Sequence, residues 1–241
     1  MQKFFRSIRR RVLAENKLQK YLLYATGEIL LVVIGILIAL QINNWNTRRI
    51  EGKEAQKSYR NIRRQVLDDQ AELTKVKGFN NFFSARYAYA NQIIAAKDHS
   101  KTDTLALLAM GLSQYSDFHR SGHIYETLVN SGEWRLLKNS AITSRLQQLE
   151  MTYNHVNKLE DIHWEVIINE LSPALRGVID YSTIKAVRPE QLYSVEMQNI
   201  VIESIFLTRG KDSIYNRALE EIRTVVELID EELGIEQDQE H

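Results

Sequence analysis

One uninterrupted apolar block stands near the start of the chain, and long stretches with apolar residues every three or four positions follow it. The block runs from Leu22 to Leu40 (LLYATGEILLVVIGILIAL) and is polar only at Thr26 and Glu28. As a helix it reaches roughly 28 Å at ~1.5 Å per residue, close to the ~30 Å hydrocarbon core of a bilayer. Tyr21 and Tyr24 mark one end and Trp45 lies just past the other, where amphipathic rings favour a membrane–water boundary. A secretory signal peptide has a shorter apolar core, and Gln41-Ile42-Asn43-Asn44-Trp45 offers no small-x-small cleavage site. The pattern predicts an uncleaved transmembrane signal-anchor helix over 21–42.

Helical spacing resumes at once. Ala55, Tyr59, Ile62, Val66, Asp69, Leu73 and Val76 alternate steps of four and three. That is a heptad seam, which predicts a juxtamembrane helix over 43–78 that continues the span and ends at Gly78. Asp69 is the polar member of this seam and a candidate for setting helix register or oligomeric state. Over 79–234 the pattern predicts a bundle of further helices. One covers about 79–97. A shorter one starts at Thr102 or Asp103, and another lies in HIYETLVNSG and closes at Gly132. From Ser140 a long helix carries Ile142, Leu146, Leu149, Tyr153, Val156, then Leu159 or Glu160, and His163 or Trp164, and Pro173 ends or kinks it. Residues 178–188 read as a loop or short strand. A helix after Pro189 stops at Gly210, and a terminal one is capped by Ser213. The tail 235–241 is acidic and expected to fray. The class is all-α: a transmembrane helix continuing into a long helix and an extracytoplasmic helical bundle.

Composition narrows the function. The 241 residues include 31 basic and 31 acidic side chains, two prolines, ten glycines and no cysteine. Scarce glycine and proline suit a few long helices. Zero net charge argues against a nucleic-acid partner, and the lack of cysteine removes disulfides, thiol nucleophiles and thiolate metal sites.

Charge also orients the span. Lys3, Arg6, Arg9, Arg10, Arg11, Lys17 and Lys20 precede it against Glu15 alone, whereas Arg48, Arg49, Lys53 and Lys57 follow it interleaved with Glu51 and Glu54. The positive-inside rule then places the N-terminus in the cytoplasm. Phe4, Phe5, Ile8 and Val12 share a helical face in the leader 1–20, so Arg6, Arg9, Arg10 and Arg11 are candidates for lipid headgroups, or they serve only to set topology. Within the span, Glu28, Gly35 and Ala39 fall on one face. A carboxyl beside a small-xxx-small pair suits close packing against another span, though Glu28 is near enough to the end to snorkel. The basic run Arg60-Asn61-Ile62-Arg63-Arg64 reads as facing headgroups or solvent.

Metal and catalytic patterns are thin. His119 and His123 have i, i+4 spacing but sit across a Ser121-Gly122 break. Glu160-Asp161-Ile162-His163 is a single Glu-x-x-His, and di-iron bundles need two. There is no G-x-S-x-G, no phosphate-binding loop and no dinucleotide fingerprint. No cofactor and no metal are expected.

The opening block KFFRSIRRRVLAENKLQKYLLYATGEILLVVIGILIALQINNWN resembles the start of an uncharacterised family of Bacteroidota single-pass membrane proteins. YETLVNSGEWRLLKN, Tyr125 to Asn139, resembles a recurring segment of the same family. The resemblance implies an inner-membrane location with a periplasmic domain, and it implies no activity. Taken together, the sequence points to a non-enzymatic interaction or scaffold subunit, with lipid and either its own copy or a membrane protein as partners. The alternative is an extracytoplasmic module that senses a small molecule and signals through a partner.

Overall fold

The computed structural model describes residues 17–122 and 124–235. The chain is essentially all-α, with α1 Lys17–Ala95, α2 Thr102–Gly111, α3 Ile124–Ser131, α4 Ser140–Val166, α5 Ser172–Leu175, α6 Pro189–Leu192 and α7 Val195–Leu233. A two-stranded antiparallel hairpin, β1 Ile179–Asp180 with β2 Lys185–Ala186, occupies the segment expected to be a loop or short strand. Contacts divide the chain into two units, Met1–Glu54 and Ala55–His241.

In the first unit, the described part of α1 holds the apolar block. From Ile29 to Ile42 every residue is exposed, Leu31 at 72%. Among the described residues this is the one helix long and apolar enough to cross a membrane.

The second unit is built on three helical seams. Tyr59, Ile62, Val66, Leu73 and Val76 of α1 are buried as the heptad spacing predicts. On α4 the seam is Ile142, Leu146, Leu149, Tyr153 and Val156. On α7 it includes Tyr215, Ala218, Ile222, Val225 and Ile229. These side chains form one apolar cluster together with Phe118, Leu128 and Leu137. A second cluster gathers Tyr87, Ala90, Ile93 and Ile94 of α1, Leu105, Ala106 and Ala109 of α2, and Ile167, Leu171, Met197 and Val201. Each fully buried Leu, Ile or Val contributes ~1.5–3 kcal/mol relative to an exposed one, enough to override weak local stop signals.

Three expected helix ends are overridden in this way. Gly78 and Gly210 lie inside α1 and α7, so the segments 43–78 and 79–97 belong to one helix, and the terminal helix is continuous with the one before it. An interior glycine costs about 1 kcal/mol, less than breaking a seam that buries residues on both sides of it. Pro173 does not terminate α4 either. The helical path widens through a π turn over Ile167–Leu171, and Pro173 sits in the first turn of α5, where its missing N–H costs nothing. The seam of 55–76 is therefore part of the bundle core. Arg63 also leaves the expected basic patch, because it donates to both carboxylate oxygens of the nearly buried Asp230, at 2.5 and 3.1 Å.

The Tyr125–Asn139 segment is a packed corner. Gly132 closes α3 at φ +74°, Trp134 packs against the core and meets Tyr125 edge-on at 5.0 Å, and Asn139 caps α4 by accepting from Ala141 N and Ile142 N. An L side chain in this left-handed conformation costs ~1–2 kcal/mol. Gly132→Ala is thus expected to lower stability by about that amount, read as a shift in the denaturant midpoint at unchanged slope.

Candidate functional site

Each of the three seams breaks its apolar rule at the same level. Asn80 of α1, Glu160 and His163 of α4, and Thr208 and Lys211 of α7 are all at most 2% exposed. They lie along their helices between the residues of the two apolar clusters. The segment after α2 adds Ser116, which is also buried. Regular heptad steps put these residues inside: Val156, Glu160 and His163 on α4 with Ile167 in the π turn after it, and Ser204, Thr208, Lys211 and Tyr215 on α7.

Hydrogen bonds join them into a layer. The Lys211 ammonium donates to His163 Nδ1 at 2.9 Å and approaches the Ser116 carbonyl at 3.4 Å. Glu160 Oε1 accepts from the Tyr215 hydroxyl at 2.5 Å and from Phe118 N at 3.0 Å. Ser116 Oγ lies 2.9 Å from the Tyr215 hydroxyl and donates to Asn80 Oδ1 at 3.2 Å, and Asn80 Nδ2 donates to the Thr208 carbonyl at 2.8 Å. With Nδ1 accepting, the proton of a neutral His163 resides on Nε2. That nitrogen and Glu160 Oε2 are buried and meet no hydrogen-bond partner.

Burial controls the charges. It pushes the Glu160 carboxyl up to about 7, against the opposing pull of the Tyr215 hydroxyl, Phe118 N–H and the Lys211 charge. His163 falls to about 3, first through burial and then through the adjacent ammonium. Lys211 falls to about 8 through burial, although Glu160 and Asp117 favour its charged form. Tyr215 is raised, by burial first and the Glu160 charge second. At neutral pH the layer therefore holds a neutral imidazole, an ammonium and a carboxyl that burial disposes toward its protonated form. By composition this is acid–base machinery, but it is closed off from solvent, so a substrate reaches it only if the bundle opens. The ammonium beside His163 also opposes a cation there, and among the described residues no group of three or more His, Asp or Glu is placed to hold a metal.

The residues singled out from sequence are dispersed. Glu28, Gly35 and Ala39 are exposed on α1, and a Cβ built on Gly35 meets nothing within 4 Å. Nothing in the described chain covers that face. Asp69 is fully buried, accepting from Ser121 N at 2.6 Å and from the Tyr153 hydroxyl at 3.1 Å, so it ties α1 to α4 and to the preceding loop within one chain. Arg6, Arg9, Arg10 and Arg11 lie outside the described residues, as does His123. His119 is exposed, 3.6 Å from Asp117.

Sequence reasoning missed Lys211, Tyr215, Ser116 and Asn80 as a group. The signal is present: continuing the seam of the terminal helix back from Ile214 past Ser213 places Lys211 on it.

The model of a family of unknown function, DUF6090, matches residues 28–209. No curated protein and no solved structure matches the chain.

Proposed function

The chain belongs to DUF6090, a family of unknown function, and from that premise we propose that it is a non-enzymatic, membrane-anchored interaction module. Residues 22–40 cross the bilayer, with the N-terminus cytoplasmic and the helical bundle on the other face. The observation that carries the reading is an apolar helix surface with no protein against it, from Ile29 through Leu40. Left in water, such a surface costs ~25 cal/mol per Å² of apolar area. Lipid or another span removes that cost. The basic flanks support the orientation, and the closure of the acid–base layer supports a role without turnover.

Partner choice is assigned to the face of Glu28, Gly35 and Ala39. The small residues let a second backbone approach closely, and a carboxyl in hydrocarbon favours a partner group. A span association assay in membranes tests this assignment, comparing wild type with Glu28→Leu and Gly35→Leu. Loss of self-association or partner capture is expected, most for Gly35→Leu because the added side chain separates the backbones. Unchanged association in both variants removes the assignment.

A further inference from the structure

Past the apolar block, α1 stays exposed through Ile42, Trp45 and Ile50, with Arg48 and Arg49 among them. Side chains of an α-helix lean toward its N-terminus, which here is back toward the block. Arg49 shows that lean, since its guanidinium carbon lies 5.7 Å from the centroid of the Trp45 ring one turn behind it. At ~1.5 Å per residue, Trp45 stands about 8 Å beyond Leu40, and Arg48 and Arg49 about 12–14 Å. A backward lean of about one turn, ~5.4 Å, brings both guanidinium groups to the outer edge of a headgroup layer that is ~5–8 Å thick.

Lys53 differs. It starts about 20 Å beyond Leu40, and the same lean leaves it roughly a Debye length, ~8 Å, outside that layer. Chemistry separates the two as well. A guanidinium offers paired N–H groups that match two phosphate oxygens, while an ammonium is a point charge. A cation–π approach to the indole favours this position of the guanidinium before a ligand arrives.

We propose that Trp45 and Arg49, assisted by Arg48, form a clamp for the phosphate of an anionic lipid headgroup and so set the depth at which the span sits. The inference rests on the reading that residues 22–40 cross a bilayer. It adds a lipid class and a headgroup site on the bundle side of the span.

Full-length protein purified in mild detergent containing phosphatidylglycerol and phosphatidylcholine tests it, with retained lipid counted per chain. Wild type is expected to enrich phosphatidylglycerol over phosphatidylcholine. Arg49→Gln and Trp45→Leu each reduce that enrichment about five-fold, whereas Lys53→Gln, which removes the same charge, changes it less than about twofold. A Lys53→Gln loss equal to that of Arg49→Gln would show diffuse attraction and overturn the clamp, as would enrichment unchanged in every variant. All three residues are exposed on the helix outside the bundle cores, so melting temperatures equal to wild type certify the fold. Release of wild type from membranes by alkaline carbonate without detergent would remove the anchoring reading itself, whereas retention of neither lipid by a chain that needs detergent for release would overturn the clamp alone.

Discussion

Replacing Lys211 by methionine lowers the melting temperature of the bundle by roughly 6–12 °C. The ammonium is fully buried and supplies the partner of His163 Nδ1. Methionine fills a similar volume but donates nothing. His163 then has no hydrogen bond at either nitrogen, and Glu160 loses the positive charge that favours its ionised form. Removing one partner from a buried charged network costs ~3 kcal/mol or more. A unit of this size converts each kcal/mol into about 2–4 °C. The network as a whole behaves differently from its parts, because its charges are desolvated to begin with. Combining Lys211→Met with His163→Leu and Glu160→Gln also removes the carboxyl charge and the unpaired imidazole, while the glutamine carbonyl still accepts from Tyr215 and Phe118 N. The triple variant is expected to regain most of the loss. Thermal unfolding of the full chain in detergent, followed by near-ultraviolet circular dichroism, measures both. A silent single variant, or a triple variant as unstable as the single, contradicts this account of the layer.

The second large effect is hidden in the wild type. Glu160 binds a proton more tightly in the fold, at about 7, than the ordinary carboxyl at 4.5. Its contribution is therefore fully present below pH 4.5 and is lost as pH rises toward 7. His163 is the reverse. Its folded value of about 3 lies below the ordinary 6.5, so its contribution is present above pH 6.5 and is lost as pH falls toward 3. Between pH 4.5 and 6.5 one group weakens the fold as the other strengthens it, each by up to ~1.4 kcal/mol per pH unit. The layer is thus expected to contribute almost no slope there. His163→Leu exposes the Glu160 limb, and stability falls by about 2–3 kcal/mol from pH 4.5 to 6.5. Glu160→Gln exposes the His163 limb, and stability rises by a similar amount over the same range. Denaturant titrations at several pH values read both slopes. Slopes of the same sign in the two variants would contradict the assigned burial of charge.

The all-α class and the seams were legible because period alone carries them. Tyr59 to Val76, Ile142 to Val156 and Ile214 to Ile229 are buried where spacing put them. The segment boundaries are not legible, because glycine and proline signal only local backbone preference. Gly78, Gly210 and Pro173 each yield to packing on both sides, which propensity does not record. That same local weighting hid the polar layer. A helix stop at Gly210 puts Lys211 in a loop, and without Lys211 the pair Glu160 and His163 resembles half of a metal motif. Asp69 stands out because it interrupts a seam, but its partners Ser121 and Tyr153 are distant in sequence, so spacing does not carry its intrachain role. Glu28, Gly35 and Ala39 differ in kind, since their assignment depends on a second molecule.

The chain contains no cysteine, which makes single introduced thiols a direct probe of the central claim that residues 22–40 lie in a bilayer. Val33→Cys, Asn46→Cys and Met151→Cys occupy the apolar block, its edge and the exposed surface of α4. A water-soluble maleimide applied to opened membranes is expected to label positions 46 and 151 at once, and position 33 only after detergent is added. Equal labelling of position 33 in intact bilayers would contradict the account.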